Sequence, residues 1–286
     1  MDHSISIGYI SRKYRLSPKK HLGQHFLVDK NIIKKEVEYG YLSGEETVLE
    51  IGPGFGMLTA ELIKHAKKVI AVEKDEELAN ILEKEFEDCI PEKLEVIKDD
   101  VLNVMKPENL SFDICISNIP YQLSSLIIER LAFFKKPAVL CVQKEFAERV
   151  VAKPSNKNYS RISFLCDVYF NRYYLYTVSK NCFFPKPKVD SALIKLIPKQ
   201  HTIVDDLEKK EVEKFFDFVK MIFVHRKKNL SNALISSRKN LSISDKKILK
   251  KFIEKELKDY VDKKVFMLKP EEVKDIFLKM KQESVL

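Results

Sequence analysis

The period of apolar residues changes several times along the chain. "TVLEI" (47–51), "KVIAVEKD" (68–75), "KLEVIKDD" (93–100), "FDICIS" (112–117) and "AVLCVQ" (138–143) are short runs that read as buried strands. Between them, "MLTAELIKHA" (57–66), "EELANILEKEF" (76–86) and "SSLIIERLAFF" (124–134) read as helices, and "KEFAERVVA" (144–152) follows the last strand as another. Such alternation predicts an α/β fold of βαβ units, a parallel sheet with helices on both faces. "RISFLCDVYF" (161–170), "RYYLYTV" (172–178) and "SALIKLIP" (191–198) are aromatic and β-branched. They predict strands paired antiparallel at the far side of the sheet. From residue 199 the period is helical: "EVEKFFDFVKMIFVHRKKNLSNALI" (211–235), "DKKILKKFIEKELKDYV" (245–261) and "KPEEVKDIFLKM" (269–280), the last with Pro270 at a helix start. Two domains follow, an α/β domain over 1–198 and a small all-α domain over 199–286.

Composition supports a folded protein. The chain has 286 residues, 45% of them apolar, enough for a substantial core. The net charge of +9 is unevenly spread: residues 1–35 carry +6, residues 36–198 carry −4 and residues 199–286 carry +7. A near-neutral core with basic ends suits a polyanion binder, although solvated lysine-rich helix faces give the same count. Cys89, Cys115, Cys141, Cys166 and Cys182 are widely spaced, without C-x-x-C, and read as free thiols in a reducing compartment. No spacing of His or Cys suits a metal. The start has no apolar leader-like run and no stretch approaches 18 apolar residues, so a soluble, cytoplasmic protein is expected.

Glycine is concentrated where chemistry is expected. All seven glycines lie at or before Gly56, three of them in "EIGPGFG" (50–56), between a strand and a helix. There the backbone can approach a ligand closely. The loop is G-x-G-x-G with Glu50 before it. Glu73 ends the next strand, where an acid can accept ribose hydroxyls, and Asp99 and Asp100 end the third. All stand at carboxyl ends of successive parallel strands. This pattern resembles the Rossmann-like methyltransferases that bind S-adenosylmethionine. An NAD-binding domain is the alternative, and the missing third-glycine spacing argues against it.

Asn118, Ile119, Pro120 and Tyr121 follow the fourth strand. "NIPY" resembles the N/D-P-P-Y/F motif of methyltransferases acting on exocyclic base amines. Such an amine is a poor nucleophile because its lone pair is conjugated with the ring. Acceptors on its hydrogens, the Asn118 side-chain oxygen and the Ile119 carbonyl, favour a more tetrahedral nitrogen and aim it. Pro120 restricts Ile119 to extended geometry, and Tyr121 offers a face for an unstacked base. An ordinary turn with a packed Tyr would carry some of the same residues.

Four further segments extend the likeness: "KKHLGQHFLVDKNI" (19–32), "QKEFAERVVAKPSNKNYSRIS" (143–163), "FFPKPKVDSALIKL" (183–196) and "FVHRKKNLSNAL" (223–234). With "EIGPGFG" and "NIPYQLSS" they resemble the KsgA/Dim/Erm family of ribosomal RNA adenine dimethyltransferases, from about residue 13 to the C-terminus. The resemblance implies a Rossmann-like S-adenosylmethionine-dependent methyltransferase domain with an N-terminal basic arm over 1–198, and a helical RNA-facing accessory domain over 199–286. It implies cofactor contacts from His25, Leu27, Gly52, Glu73, Asp100 and Asn118. For the target it implies Asn118, Ile119, Pro120, Tyr121 and Phe183, with Phe184 as the competing aromatic. Arg226, Lys227 and Lys228 match a basic helix facing RNA. The family usually has Gly where Ser160 stands. Gln122 and "GQHFL" resemble archaeal and eukaryotic housekeeping members. Those dimethylate two adjacent adenosines in the loop of the last small-subunit rRNA helix, so the implied partner is the small-subunit precursor. An Erm-type enzyme of the large subunit and a mainly non-catalytic assembly factor are the alternatives. A monomer without metal is expected.

Overall fold

In the computed structural model, the described residues are Gly8, Lys13, Tyr14 and residues 24–106, 108–242 and 245–285. The rest of the expected basic arm up to residue 23 lies outside them. In chain order the elements begin with β1 (Phe26–Leu27), α1 (Lys30–Glu38), β2 (Thr47–Ile51), α2 (Thr59–His65), β3 (Lys68–Glu73) and α3 (Glu76–Glu85). Then come β4 (Leu94–Lys98), α4 (Val101–Val104), β5 (Ile114–Asn118), α5 (Ser124–Phe134), β6 (Ala138–Gln143), α6 (Lys144–Val151) and α7 (Arg161–Tyr169). The last are β7 (Phe170–Val178), β8 (Phe183–Phe184), β9 (Ser191–Pro198), α8 (Lys209–Phe223), α9 (Leu230–Ser236), α10 (Lys246–Glu256) and α11 (Pro270–Gln282).

The main sheet has seven strands in the order β4-β3-β2-β5-β6-β9-β7. Its first five strands are parallel, and β9 and β7 add antiparallel, as the sequence predicts. Val48, Val69, Ile116 and Val139 have no measurable exposure, as expected of strands covered on both faces. Aspartates start the helices at the carboxyl edge. Asp75 accepts from Glu77 N at 3.2 Å and Asp100 from Leu102 N at 2.9 Å, each satisfying an otherwise orphaned donor. The strand order reverses between β2 and β5, and such a switch point opens a crevice at the carboxyl ends. A separate two-stranded sheet joins β1 to β8, with Leu27 opposite Phe183.

Two compact units divide the chain differently from a single boundary after residue 198. One holds the chain up to Ala147 with Phe170–Pro198; the other holds Glu148–Tyr169 with Lys199 onward. Residues 148–169 therefore group with the helices. The reason is that "RISFLCDVYF" is a helix, α7, up to Tyr169, and not a strand. A continuous apolar run does not distinguish a buried strand from a buried helix. Here Ser160, immediately before α7, decides it: its N–H donates to Ser163 Oγ at 2.9 Å and its carbonyl accepts from Phe164 N, closing the first turn. Phe164 of α7 then packs on Phe215 and Phe223 of α8, at ring separations of 6.0 and 5.5 Å.

The long helix expected over 211–235 is also broken. It stops at Phe223, and Asn229 caps a new helix by accepting from Asn232 N at 3.0 Å. Val224 to Lys227 form a turn between them. Among the described residues no helix is long and apolar enough to cross a membrane.

Candidate active site

The glycine loop turns sharply after β2. Gly52, Gly54 and Gly56 have φ of +66°, +57° and +78°, the left-handed region that side chains with a Cβ seldom occupy. Gly52 N donates to Val72 O at 2.9 Å, and Gly54 N donates to Glu73 Oε2 at 3.1 Å. A Cβ on Gly54 would lie 2.5 Å from the Phe26 ring, so glycine lets β1 close over the loop.

Below the loop lies a cavity of about 360 Å³. His25, Leu27, Gly52, Glu73, Asp100 and Asn118 line it, and so do Ile119, Pro120, Tyr121 and Phe183. Every residue assigned to cofactor or target is thus brought to one place. Arg226, Lys227 and Lys228 belong to the other unit.

The cavity wall is acidic. Glu50, Glu73, Asp75, Asp99 and Asp100 line it, whereas His25 and Lys74 are the basic side chains among its described residues. Lys74 is engaged by Asp100 at 2.8 Å, and it holds the Asp100 carboxyl below its ordinary range. Glu73 accepts from Asp75 N at 2.8 Å as well as from Gly54 N; burial raises its carboxyl while these donors oppose the rise. Burial also pushes Glu50 up to about 8, with the Thr59 hydroxyl at 2.6 Å opposing and the Glu73 carboxylate adding. The folded protein therefore keeps a proton on Glu50 that the unfolded chain loses near 4.5. Stability contributed by this group falls as pH rises from the ordinary carboxylate range to about 8, and is level above that. Glu50→Gln keeps an acceptor for Thr59 and removes the titration. Its melting temperature is expected to vary less than that of the wild type between pH 5 and pH 8 in the ligand-free protein; equal slopes would assign the pH dependence elsewhere.

On the target side, Asn118 ends β5 and Ile119 is buried behind it. The Tyr121 ring is held by a 2.6 Å hydrogen bond between its hydroxyl and Ser191 Oγ, and burial pushes the phenol up to about 12. His25 stacks on Tyr121 with ring centroids 6.1 Å apart. Its Nδ1 lies 2.7 Å from Pro185 O; a carbonyl can only accept, so Nδ1 carries the hydrogen. The His25 imidazole is therefore tied to the "FFPKP" loop. Phe183 is buried and lines the cavity, whereas Phe184 is 48% exposed and does not.

The basic trio is not on a helix. Arg226 donates from Nη1 to Lys157 O at 2.7 Å and Tyr159 O at 2.9 Å, fastening that segment within its own unit. Lys228 donates to Ser236 Oγ at 2.9 Å, and Lys227 is exposed. The polar cavity residues Gln24, Lys74 and Asp75, and the buried Glu36 of α1, were not singled out from the sequence. Glu36 had a signal: it stands four residues after Ile32, on the apolar face of a helix.

This strand order, with a glycine loop facing Asn118 across the switch point, is that of a Rossmann-like methyltransferase. Within that class the chain belongs to the ribosomal RNA adenine dimethylase family, whose family model matches residues 15–264. It is 41% identical over 278 residues to a probable ribosomal RNA small subunit methyltransferase A of Pyrococcus furiosus, covering 95% of this chain and 96% of that one. A protein of the same description from Thermococcus sibiricus is 40% identical over 277 residues, covering 96% of each chain. Among solved structures, a dimethyladenosine transferase from Plasmodium falciparum matches with a TM-score of 0.75 at 27% identity, covering 91% of this chain and 98% of that one. The 23S rRNA methyltransferase ErmE matches with a TM-score of 0.61 at 25% identity, covering 90% and 100%.

Proposed function

We propose that this protein transfers methyl groups from S-adenosylmethionine to the 6-amino groups of two adjacent adenosines in small-subunit ribosomal RNA. The observation that carries the reading is Asn118: a carboxamide at the switch point, facing the glycine loop, with a buried Oδ1 that has no partner within the protein. The residues present fit the cofactor. Glu73, Asp75, Asp99 and Asp100 around one cavity favour a ligand of net positive charge and disfavour a dinucleotide pyrophosphate, whereas Glu50 keeps its proton and adds no charge. When bound, S-adenosylmethionine supplies an electrophilic methyl on a cationic sulfur. Glu73 would hold ribose hydroxyls through the lone pairs left by its two backbone donors. Asp100 would approach the adenine.

Asn118 Oδ1 and the Ile119 carbonyl would accept from the target amine and aim its nitrogen. Tyr121 and Phe183 would hold the extruded base by stacking. Held in this way, the amine nitrogen would be aimed at the methyl that the cofactor supplies, and the proton it then sheds would leave to water. No side chain of tuned pKa is required for that proton.

The relatives that align over nearly the full chain support the small subunit as substrate over the large one. Incubation with labelled cofactor and isolated subunits tests this. Label in small-subunit rRNA is expected, and label in large-subunit rRNA alone would favour the Erm-type reading. Absence of label with retained subunit binding would favour an assembly factor.

For RNA contact, Lys227 and Lys228 are the candidates in the helical unit, through phosphates. Lys227→Ala with Lys228→Ala is expected to weaken subunit binding and reduce the slope of log affinity against log salt by about 1–2. An unchanged slope would place the RNA surface elsewhere. Arg226 is unsuited to this test, because its loss frees two carbonyls at residues 157 and 159.

A further inference from the structure

Among the described residues, the buried side-chain polar atoms without a hydrogen-bond partner are both carboxyl oxygens of Glu36 and Oδ1 of Asn118. Leaving such an atom without a partner is destabilising, so three on two side chains call for a common explanation. The two side chains act on each other. The Asn118 amide draws the Glu36 carboxyl downward, although neither carboxyl oxygen is in hydrogen-bond geometry. Burial outweighs that pull and the Glu50 carboxylate opposes it, so Glu36 titrates well above the ordinary range. Glu36 has no measurable exposure, and its charge contributes to raising the thiols of Cys115 of β5 and Cys141 of β6, after their burial. No cationic side chain is among the groups that act on it.

A carboxylic acid presents one donor and one acceptor side by side, and a primary carboxamide presents the complementary pair. One proton on Glu36 therefore converts three orphaned acceptors into two reciprocal bonds, O–H to Oδ1 and Nδ2–H to the acid carbonyl. A carboxylate would satisfy Nδ2 and repel Oδ1. We propose that Glu36 is a positioning residue for methyl transfer: its carboxylic acid pairs with the Asn118 carboxamide and fixes the amide plane at the transfer centre. The second lone pair of Oδ1 is then left for the target amine. The inference rests on the methyl-transfer reading above. It accounts for an acid on the apolar face of α1, beside Ile32, Ile33 and Val37, where Leu or Met would pack with no desolvation cost.

The test compares Glu36→Leu with Glu36→Gln in the full-length protein, on immature small subunits with saturating cofactor. Gln offers the same donor and acceptor; Leu offers neither. The Leu variant is expected to melt at or above the wild-type temperature. Its kcat is expected to fall by about ten- to hundredfold, with little change in KM for the subunit. The Gln variant is expected to remain within about threefold of wild type, a rescue that a packing role would not give. A Leu variant with wild-type kcat would overturn the proposal, and so would a Gln variant as slow as Leu. If Leu prevents folding, Glu36→Met carries the same comparison. A wild-type protein that transfers no methyl group would instead overturn the functional reading on which this rests.

Discussion

Asn118→Ala is expected to lower the rate of methyl transfer by roughly 10²–10³-fold, the range seen when one preorganised transition-state contact is removed. The effect is electrostatic. As the adenine amine gives its lone pair to the methyl carbon, its two N–H bonds become more polar, and acceptors already in place gain strength without reorganising. Asn118 is placed for that by β5, whose pairing with β2 sets it beside the glycine loop. Its Oδ1 is buried, and the pairing proposed with Glu36 leaves it a second lone pair, so no bond within the protein has to be broken first. Cofactor binding is expected to remain measurable by calorimetry, because the acidic wall and the loop are intact. A variant that turns over at the wild-type rate would remove Asn118 from the reaction. A variant that no longer binds cofactor would make its role one of binding.

Gly54→Ala is expected to have the next largest effect, and through a different route. The position has φ of +57°, where a residue with a Cβ pays about 1–2 kcal/mol. The new methyl would also stand 2.5 Å from the ring of Phe26, which is itself packed on Phe55 at 4.4 Å. Phe26 has to move, and with it the short β1 strand that carries Leu27 and precedes α1. Gly54 N would leave Glu73 Oε2, loosening the carboxylate proposed to hold the ribose. A loss of about 1–3 kcal/mol of stability is expected. Cofactor affinity is expected to fall by about tenfold or more, each tenfold being about 1.4 kcal/mol. Melting curves and titration calorimetry read the two effects separately. An unchanged affinity would mean that the loop does not shape the cofactor site.

The sheet was legible because its strands are covered on both faces and bounded by turn residues. "TVLEI" and "AVLCVQ" coincide with β2 and β6 residue for residue. The ligand side was legible for a related reason: polar residues at the ends of such apolar strands have little to do but face a crevice. α7 was not, since its apolar residues are buried all round and show neither a period of two nor a clean amphipathic stripe. The Ser160–Ser163 cap is the local signal that an eye set on strands passes over. Arg226 shows another limit. Its side chain serves two carbonyls some 67 and 69 residues away in sequence, a commitment that no local pattern encodes. Glu36 shows the opposite case, an acid whose helical position alone marks it as anomalous before any contact is known.

Asn118, Tyr121 and the acidic cavity wall together support a small-subunit rRNA adenine dimethyltransferase. The most direct measurement is mass mapping of modified nucleosides after incubating the protein with S-adenosylmethionine and both immature ribosomal subunits. Dimethylated adenosine is expected at two adjacent positions in the loop of the last small-subunit rRNA helix. Modification confined to large-subunit rRNA, or the absence of modification in either subunit, would contradict it.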